Sequence, residues 1–309
     1  MRIKEEVRKW LMSLSAPKQK ETPRLLSIKE LYTPLGDRES SRENKSIRKI
    51  PKQVFQTWKS EYIDEKHYLN LKSYQEENLD YQFFFFDDKD MDEYMVRAWG
   101  HHPISSVFKR TRVGAAKADI WRYCLLYDLG GVYLDIDASF KVPLSELSKE
   151  TNSEIVAFEA NRIATDRARY GKQIDQSVLP FEEYTEILNK LTERSFPHPE
   201  HVVLQWALFF APRHPILASV IEAISQNAPA LEGKVIRDMH KAVCNFTGPI
   251  AYSKAVWQYA LNQKVECRGI DFDGLGIPKH VPKKGVYKSD KRHYTKLSGE
   301  ILLEPDLAQ

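Results

Sequence analysis

The chain has 309 residues, of which 42% are hydrophobic, and a formal net charge of +3. This length holds one large domain or two small ones, and so small a charge does not by itself indicate nucleic-acid binding. The 3 cysteines are far apart and odd in number, which excludes a disulfide framework and a zinc-finger spacing. Such cysteine usage is typical of a reducing compartment.

The first 46 residues are predicted to form an amphipathic helix followed by a polar arm. Residues 1–16 carry apolar side chains at helical spacing, and Pro17 ends the pattern. The apolar stripe consists of Ile3, Val7, Trp10, Leu11 and Leu14. Basic residues flank this stripe, and two interpretations stay open: the helix packs on its own domain or a partner subunit, or it lies on an anionic membrane. Residues 17–46 contain several Pro, Gly and Ser residues and are typical of a linker.

No segment of the sequence predicts a membrane span or a signal peptide. The longest apolar runs fall short of the ~18 residues that a span needs, and the charged start is not followed by an apolar segment. We therefore expect a cytoplasmic enzyme, peripheral at the inner membrane face if residues 1–16 bind lipid.

Residues 47–275 alternate between strand and helix patterns. Strands are predicted at 54–58, 81–86, 132–135, 155–158 and 266–272. Helices are predicted at 68–78, 91–99, 112–129, 202–210, 215–225 and 250–261. The alternation predicts an α/β domain with a mostly parallel central sheet, in which ligands bind beyond the carboxyl ends of the strands.

Two carboxylates follow the strand predicted at 132–135. Asp135 and Asp137 are one residue apart, so in a strand they would share a face. Like charges on one face are tolerated where water or a cation reaches them, and Mg²⁺ and Mn²⁺ prefer such oxygen ligands. A surface turn is the competing interpretation, because the chain has a second Asp-x-Asp at residues 271–273.

The helix before this strand makes the pattern specific. Residues 116–137 read Ala-x-x-Asp-x-x-Arg-Tyr-x-x-Leu-Tyr-x-x-Gly-Gly-x-Tyr-x-Asp-x-Asp, and three further stretches carry matching patterns, at 50–58, at 205–207 with 211–217, and at 245–249. The pattern resembles the sugar-binding region of family 32 glycosyltransferases, which include yeast initiating α-1,6-mannosyltransferases and bacterial capsular polysaccharide enzymes.

The resemblance implies a GT-A fold, a Rossmann-like domain that binds a nucleotide sugar. It implies retaining transfer of a sugar from a UDP- or GDP-sugar to a hydroxyl of a glycan or lipid-linked acceptor, with Mn²⁺ or Mg²⁺ as cofactor. Asp137 matches the direct metal ligand, and Asp135 matches the residue that contacts the ribose or sugar and helps to hold the metal.

The other donor contacts also follow from the resemblance. Asp119 and Arg122 match residues that bind sugar hydroxyls, although a helix-surface ion pair is the alternative interpretation. Gln56 and Trp58 match the place where the base docks, and Tyr133 is assigned to donor binding.

The remaining candidates come from the two ends of the predicted domain. The family implies a third metal ligand near the C-terminus, for which His293 is the candidate and His280 its rival. The basic segment 276–309 is accordingly predicted to close over the donor site. If retention uses a carboxylate nucleophile, Glu159 is the candidate, because it follows the strand predicted at 155–158.

Two other functions are compatible with parts of the sequence. A haloacid-dehalogenase-like phosphatase also ends a strand with Asp-x-Asp, but it gives no role to the helix before the strand. An inactive sugar-binding protein would keep the fold without the chemistry, and the intact pair of Asp135 and Asp137 argues against it.

Overall fold

The computed structural model describes residues 24–34, 49–148, 153–163, 181–277 and 297–305. The strands are β1 (Leu25–Ser27), β2 (Gln53–Thr57), β3 (Tyr62–Asp64), β4 (Gln82–Phe86), β5 (Gly131–Leu134), β6 (Ser139–Phe140), β7 (Glu154–Ile163), β8 (His201–Val203), β9 (Ala207–Phe210), β10 (Val235–Ile236), β11 (Cys267–Ile270), β12 (Gly276–Ile277) and β13 (Gly299–Glu300). The helices are α1 (Glu65–Glu76), α2 (Asp88–Trp99), α3 (Pro103–Arg110), α4 (Gly114–Leu129), α5 (Leu144–Leu147), α6 (Phe181–Glu193), α7 (Pro215–Asn227), α8 (Met239–Phe246) and α9 (Pro249–Ala260). No helix in these ranges is long and apolar enough to cross a membrane.

The central sheet has 7 strands in the order β11-β7-β9-β5-β2-β4, with β8 paired to β7. Strand β2 is parallel to both β4 and β5, and β7 is parallel to β11. Strand β9 runs antiparallel between β5 and β7. The sheet is therefore mostly parallel, and the predicted α/β fold is confirmed.

Each face of the sheet is covered by its own apolar core. In β4, Phe84 and Phe86 face one core while Phe83 faces the other. In β5, Tyr133 belongs to the first core and Val132 to the second. The period of two in a strand sends neighbouring side chains to opposite faces, which is why these strands read as unbroken apolar runs. Helices α2, α4, α7 and α9 cover the first face, and α1 and α5 contribute to the second.

The predicted boundaries of the domain are wrong at both ends. Part of the predicted linker is strand β1, which pairs with β3, and Ile28 is fully buried in the second core. Near the other end, β13 pairs with β10, and Leu302 is fully buried in the first core. These short apolar stretches are packed into the domain, and closure of the segment 276–309 over the donor site stays a prediction. Residues 1–16 lie outside the described residues.

The prediction of a helix at 202–210 is also wrong. This segment forms strands β8 and β9, with a short turn of chain between them. Short apolar runs fit a buried strand and a buried helix equally well, and here pairing with β5 and β7 decides the outcome.

Two glycines join α4 to β5 at a crowded junction. Gly130 has φ +63°, and a Cβ placed there would lie 2.6 Å from Pro212 Cδ and 2.9 Å from Pro51 Cδ. Gln53 Nε2 donates to the carbonyl oxygens of Leu129 (2.8 Å) and Gly130 (3.2 Å), which satisfies backbone groups at the helix end. The junction thus directs the chain from α4 into the strand that leads to Asp135.

Replacing Gly130 with alanine is expected to lower the free energy of unfolding by more than ~2 kcal/mol, because overpacking adds to backbone strain. Gly274→Ala is the matched control, since φ there is +75° but no heavy atom lies within 4 Å of the added Cβ. It should lose only about 1 kcal/mol. Urea unfolding of both variants measures the difference, and equal losses would contradict the steric argument.

Candidate active site

Asp135 and Asp137 lie in a turn beyond the carboxyl end of β5. The strand predicted to reach residue 135 ends at Leu134, and the amide N–H of Ala138 donates to Asp135 O at 2.9 Å. The argument from strand alternation is therefore wrong, and the turn sets the two side-chain directions. The backbone N–H of Asp135 donates to Trp206 O at 2.8 Å, which fixes the turn to the chain just before β9.

The carboxylate of Asp135 is held by two side chains. Tyr133 Oη donates to Asp135 Oδ1 at 2.7 Å, and Arg122 Nη1 lies 3.6 Å from the same oxygen. The Arg122 guanidinium carbon lies 4.1 Å from the centroid of the Tyr133 ring, a cation–π arrangement. Tyr133 is only 2% exposed, so its position favours orienting Asp135 and Arg122 over reaching a donor itself.

Asp137 faces a different part of the sheet end. Its half-exposed side chain lines a pocket together with α1 residues that include His67 and Asn70. An accessible carboxylate at a strand end suits a hard divalent cation that takes its other ligands from phosphate oxygens and water. The donor set therefore fits Mg²⁺ or Mn²⁺.

Asp119 and Arg122 form a buried ion pair. Arg122 Nη2 lies 3.2 Å from Asp119 Oδ1, and the two side chains are 9% and 7% exposed, respectively. The alternative interpretation of a helix-surface ion pair is wrong, because both charges are removed from water. The apolar turns of α4 on either side of the pair draw this helix face inward.

Three residues that the sequence analysis left without a role complete this cluster. Thr247 Oγ1 donates to Asp119 Oδ2 at 2.9 Å, and Gln205 Nε2 donates to Asp119 Oδ1 at 3.2 Å. Gln205 Nε2 also donates to Tyr123 Oη, which in turn donates to Thr247 O at 2.8 Å. The stretches at 205–217 and 245–249 that resemble the family were the available signal for Gln205 and Thr247.

The buried pair has an unusual electrostatic balance. Burial raises the pKa of Asp119 to about 6, against the opposing influence of Arg122 and the Thr247 hydroxyl. At neutral pH the carboxylate still carries its charge. Buried charges have lost their hydrogen bonds to water. A ligand that supplies hydrogen bonds in place of this water, for example through sugar hydroxyls, would stabilise the pair.

The predicted base contacts differ in their surroundings. Gln56 is fully buried, its Oε1 accepts a bond from Tyr32 Oη at 2.8 Å, and its Nε2 lies 3.5 Å from Asp135 O. Its amide therefore contacts protein and supports the turn that carries Asp135. Trp58 follows β2 at the same end of the sheet and is half-buried, so stacking of a base on Trp58 stays a prediction.

Glu159 lies within β7 and not after its end, because β7 continues to Ile163. Strand β9 pairs with β7 at Glu154 and Ile155, whereas the backbone of Glu159 contacts His201 at the start of β8. His293 and His280 lie outside the described residues.

Residues 51–154 match the protein family described as "Glycosyltransferase sugar-binding region containing DXD motif". The chain is similar to the initiation-specific alpha-1,6-mannosyltransferase of Candida albicans, with 33% identity over 119 residues, which are 37% of this chain and 30% of that protein. It is also similar to inositol phosphoceramide mannosyltransferase 3 of Schizosaccharomyces pombe, with 33% identity over 98 residues, 32% of this chain and 27% of that protein. The solved PaToxG glycosyltransferase superposes with a TM-score of 0.44 at 15% identity, over 68% of this chain and 70% of that chain.

The matched segment contains α4, β5 and the Asp135–Asp137 turn. The match confirms the predicted resemblance of residues 51–154 to the DXD-containing sugar-binding region of glycosyltransferases. This match favours the glycosyltransferase over the phosphatase alternative. The chain spans less than a third of the length of the two curated relatives, so their substrates do not follow from the match alone.

Proposed function

We propose that this chain is a metal-dependent, retaining glycosyltransferase that moves a hexose from a UDP- or GDP-sugar to a hydroxyl of a glycan or lipid-linked acceptor. One observation carries the proposal: the Asp135–Asp137 turn lies beside the buried pair of Asp119 and Arg122, at the carboxyl end of a mostly parallel sheet. Mannose is the first sugar to test, because the two curated relatives are named as mannosyltransferases.

The residues divide the work between the diphosphate and the sugar. Asp137 would be the direct metal ligand, and Asp135 would support the metal while its Oδ1 is oriented by Tyr133. The bound cation would stabilise the negative charge that grows on the departing diphosphate. Asp119 and Arg122 would bind hydroxyls of the donor sugar.

Retention does not need Glu159 in this proposal. A carboxylate nucleophile must reach the anomeric carbon, and Glu159 lies on β7 beside β8, two strands across the sheet from the strand that leads to Asp135. The separation favours a route in which the leaving diphosphate accepts the proton of the incoming hydroxyl on the same face of the sugar. Asp135 and Arg122 then orient the donor and exchange no proton with it.

A thermal-shift panel of UDP- and GDP-sugars, each with and without Mn²⁺, tests the proposal. At least one nucleotide sugar should raise the melting temperature in the presence of Mn²⁺, because a ligand that binds only the folded chain stabilises it by mass action. The absence of a metal-dependent shift with every member of the panel, at millimolar ligand, would contradict the proposal.

Asp119→Asn is expected to weaken binding of the preferred nucleotide sugar at least 10-fold, while binding of the free nucleoside diphosphate changes less than 3-fold. Asparagine keeps the size of the side chain and its acceptor for Thr247, but it removes the charge that pairs with Arg122. Calorimetric titration with both ligands gives the two ratios. Equal losses for the two ligands would indicate that Asp119 supports the fold and does not select the sugar.

Membrane contact through residues 1–16, which is inferred from the apolar stripe of the sequence, and the expected cytoplasmic location are part of this proposal. Vesicle co-sedimentation of the full chain against a version that begins at Arg24 tests the contact. A later start would remove β1 and Ile28, which belong to the domain. Equal binding of both versions to anionic vesicles at low salt would end the membrane proposal.

A further inference from the structure

A group of side chains of the types that bind metals lies away from the Asp135–Asp137 turn, at the start of β8. His198, Glu200 and His201 each offer one ligand atom, and these three atoms lie within 4.8 Å of one another. Within the part of the chain that the structure describes, no other group of three His, Cys, Asp or Glu side chains comes this close together. We propose that the three residues form a second metal site, for a borderline transition-metal ion such as Zn²⁺.

The distance between His201 Nε2 and Glu200 Oε1 fits two ligands of a tetrahedrally coordinated ion better than a hydrogen bond. Bonds of about 2.1 Å to a tetrahedral Zn²⁺ place two ligand atoms about 3.4 Å apart. His201 Nε2 lies 3.6 Å from Glu200 Oε1, which is longer than an effective hydrogen bond. A cation between these two atoms would be coordinated by both of them.

The second ring nitrogen of His201 fixes which nitrogen is available to a metal. Nδ1 of His201 lies 2.9 Å from Glu159 O, and a carbonyl oxygen can only accept a hydrogen bond. Nδ1 therefore carries a proton, and in the neutral ring the lone pair is on Nε2, which faces Glu200. Histidines that bind metals commonly donate their other N–H to a backbone carbonyl in this way.

The loop that carries the site is pre-organised. His198 lies between two prolines and has φ 48°, a left-handed conformation that is uncommon for a residue other than glycine. The N–H of His201 donates to His198 O at 2.9 Å, and the centroids of the two rings are 5.6 Å apart. The His198 ring also packs on buried Phe158, at 5.5 Å between centroids. Little rearrangement is needed to bring both imidazoles to one ion.

The ligand types separate this site from the one at Asp137. Imidazole nitrogens favour Zn²⁺, Ni²⁺ and Cu²⁺, whereas carboxylates alone favour Mg²⁺ and Mn²⁺. The bound ion would fix the turn before β8, which His201 already links to the Glu159 carbonyl on β7 through Nδ1, and Gln205 follows His201 by four residues. We assign the ion a structural role in this loop, and the assignment does not depend on the proposed transferase activity.

Competition of the tag-free full chain with a chromophoric chelator for Zn²⁺ tests the site. The unmodified chain should bind one Zn²⁺, and His201→Ala and Glu200→Gln should each weaken this binding, the former at least 100-fold. Exposed His101 provides the control variant His101→Ala, which should bind as the unmodified chain does. A second control is Cys244→Ser, because Cys244 Sγ lies 3.9 Å from both ring nitrogens of His240.

Asp137→Asn separates the two sites and should leave Zn²⁺ affinity unchanged. Zn²⁺ binding that persists in His201→Ala, that disappears in Cys244→Ser or Asp137→Asn, or that is too weak to compete with the chelator in the unmodified chain would overturn the inference. Circular dichroism of each variant without metal separates the loss of a ligand from the loss of the fold. A visible Co²⁺ spectrum of tetrahedral type, lost in Glu200→Gln, would support the ligand set independently.

Discussion

Asp137→Asn is expected to lower the rate of metal-dependent sugar transfer, or of donor hydrolysis, at least 100-fold while the melting temperature stays within a few degrees. The carboxylate is half-exposed and contributes little to packing, but it would be the direct ligand of the cation that stabilises the leaving diphosphate. Release of the nucleoside diphosphate over a series of Mn²⁺ concentrations gives the measurement.

The second Asp-x-Asp of the chain supplies the control for this prediction. Asp273 is 53% exposed and lies 3.9 Å from Arg268. Asp273→Asn removes the same charge from the same type of sequence motif, at a position outside the proposed donor site, and should leave the rate within about 2-fold. A parental rate in Asp137→Asn, or equal losses in both variants, would show that Asp137 is not the metal ligand.

Arg122→Met is expected to lower the free energy of unfolding by about 3–5 kcal/mol, because Asp119 is left as a buried charge without its cation. The hydrocarbon of methionine retains part of the packing on Tyr133, so most of the loss is electrostatic. Urea unfolding with a common slope measures the loss.

Arg213 offers a matched control at the surface. Its guanidinium carbon lies 4.9 Å from the centroid of the Tyr127 ring and Nη1 lies 3.4 Å from Asp128, yet the side chain is 51% exposed. Arg213→Met should therefore lose less than about 1 kcal/mol. Asp119→Asn combined with Arg122→Met should recover part of the loss, since no unpaired charge remains. Equal losses for the two arginine variants would show that burial of the pair has no energetic consequence.

The parts of the fold that local pattern specifies were predicted from the sequence. Strands β4 and β5 were predicted from short apolar runs bounded by turn residues, and α4 from a longer apolar segment of 16 residues that is followed by a glycine. The prediction of a helix at 202–210 was wrong because a short apolar run has no clear period of its own. Pairing with β5 and β7 determines the structure of this segment. The burial of Ile28 could not be predicted from its neighbours in the sequence either, because the residues that cover it come from the second core.

The site shows the same division between local and distant information. Asp135, Asp137 and Arg122 lie in one continuous motif and were predicted as site residues from this motif and its resemblance to the family. Gln205 and Thr247 contact Asp119 across 86 and 128 residues of sequence, so only the folded chain brings them together. The burial of Asp119 could not be predicted either, because a spacing of three residues on a helix is the same for an exposed pair and a buried one.

The most direct test of the proposed function is to identify the product that the unmodified chain makes from a nucleotide sugar. Each donor of the UDP- and GDP-hexose panel is incubated with the chain and Mn²⁺, with and without a simple glycoside acceptor. The reaction is then stopped with a chelator and separated by liquid chromatography with mass detection. We expect release of the intact nucleoside diphosphate together with free or transferred hexose from at least one donor, dependent on Mn²⁺ and lost in Asp137→Asn. Release of inorganic phosphate instead, or no turnover of any donor, would contradict the assignment of this site to sugar transfer.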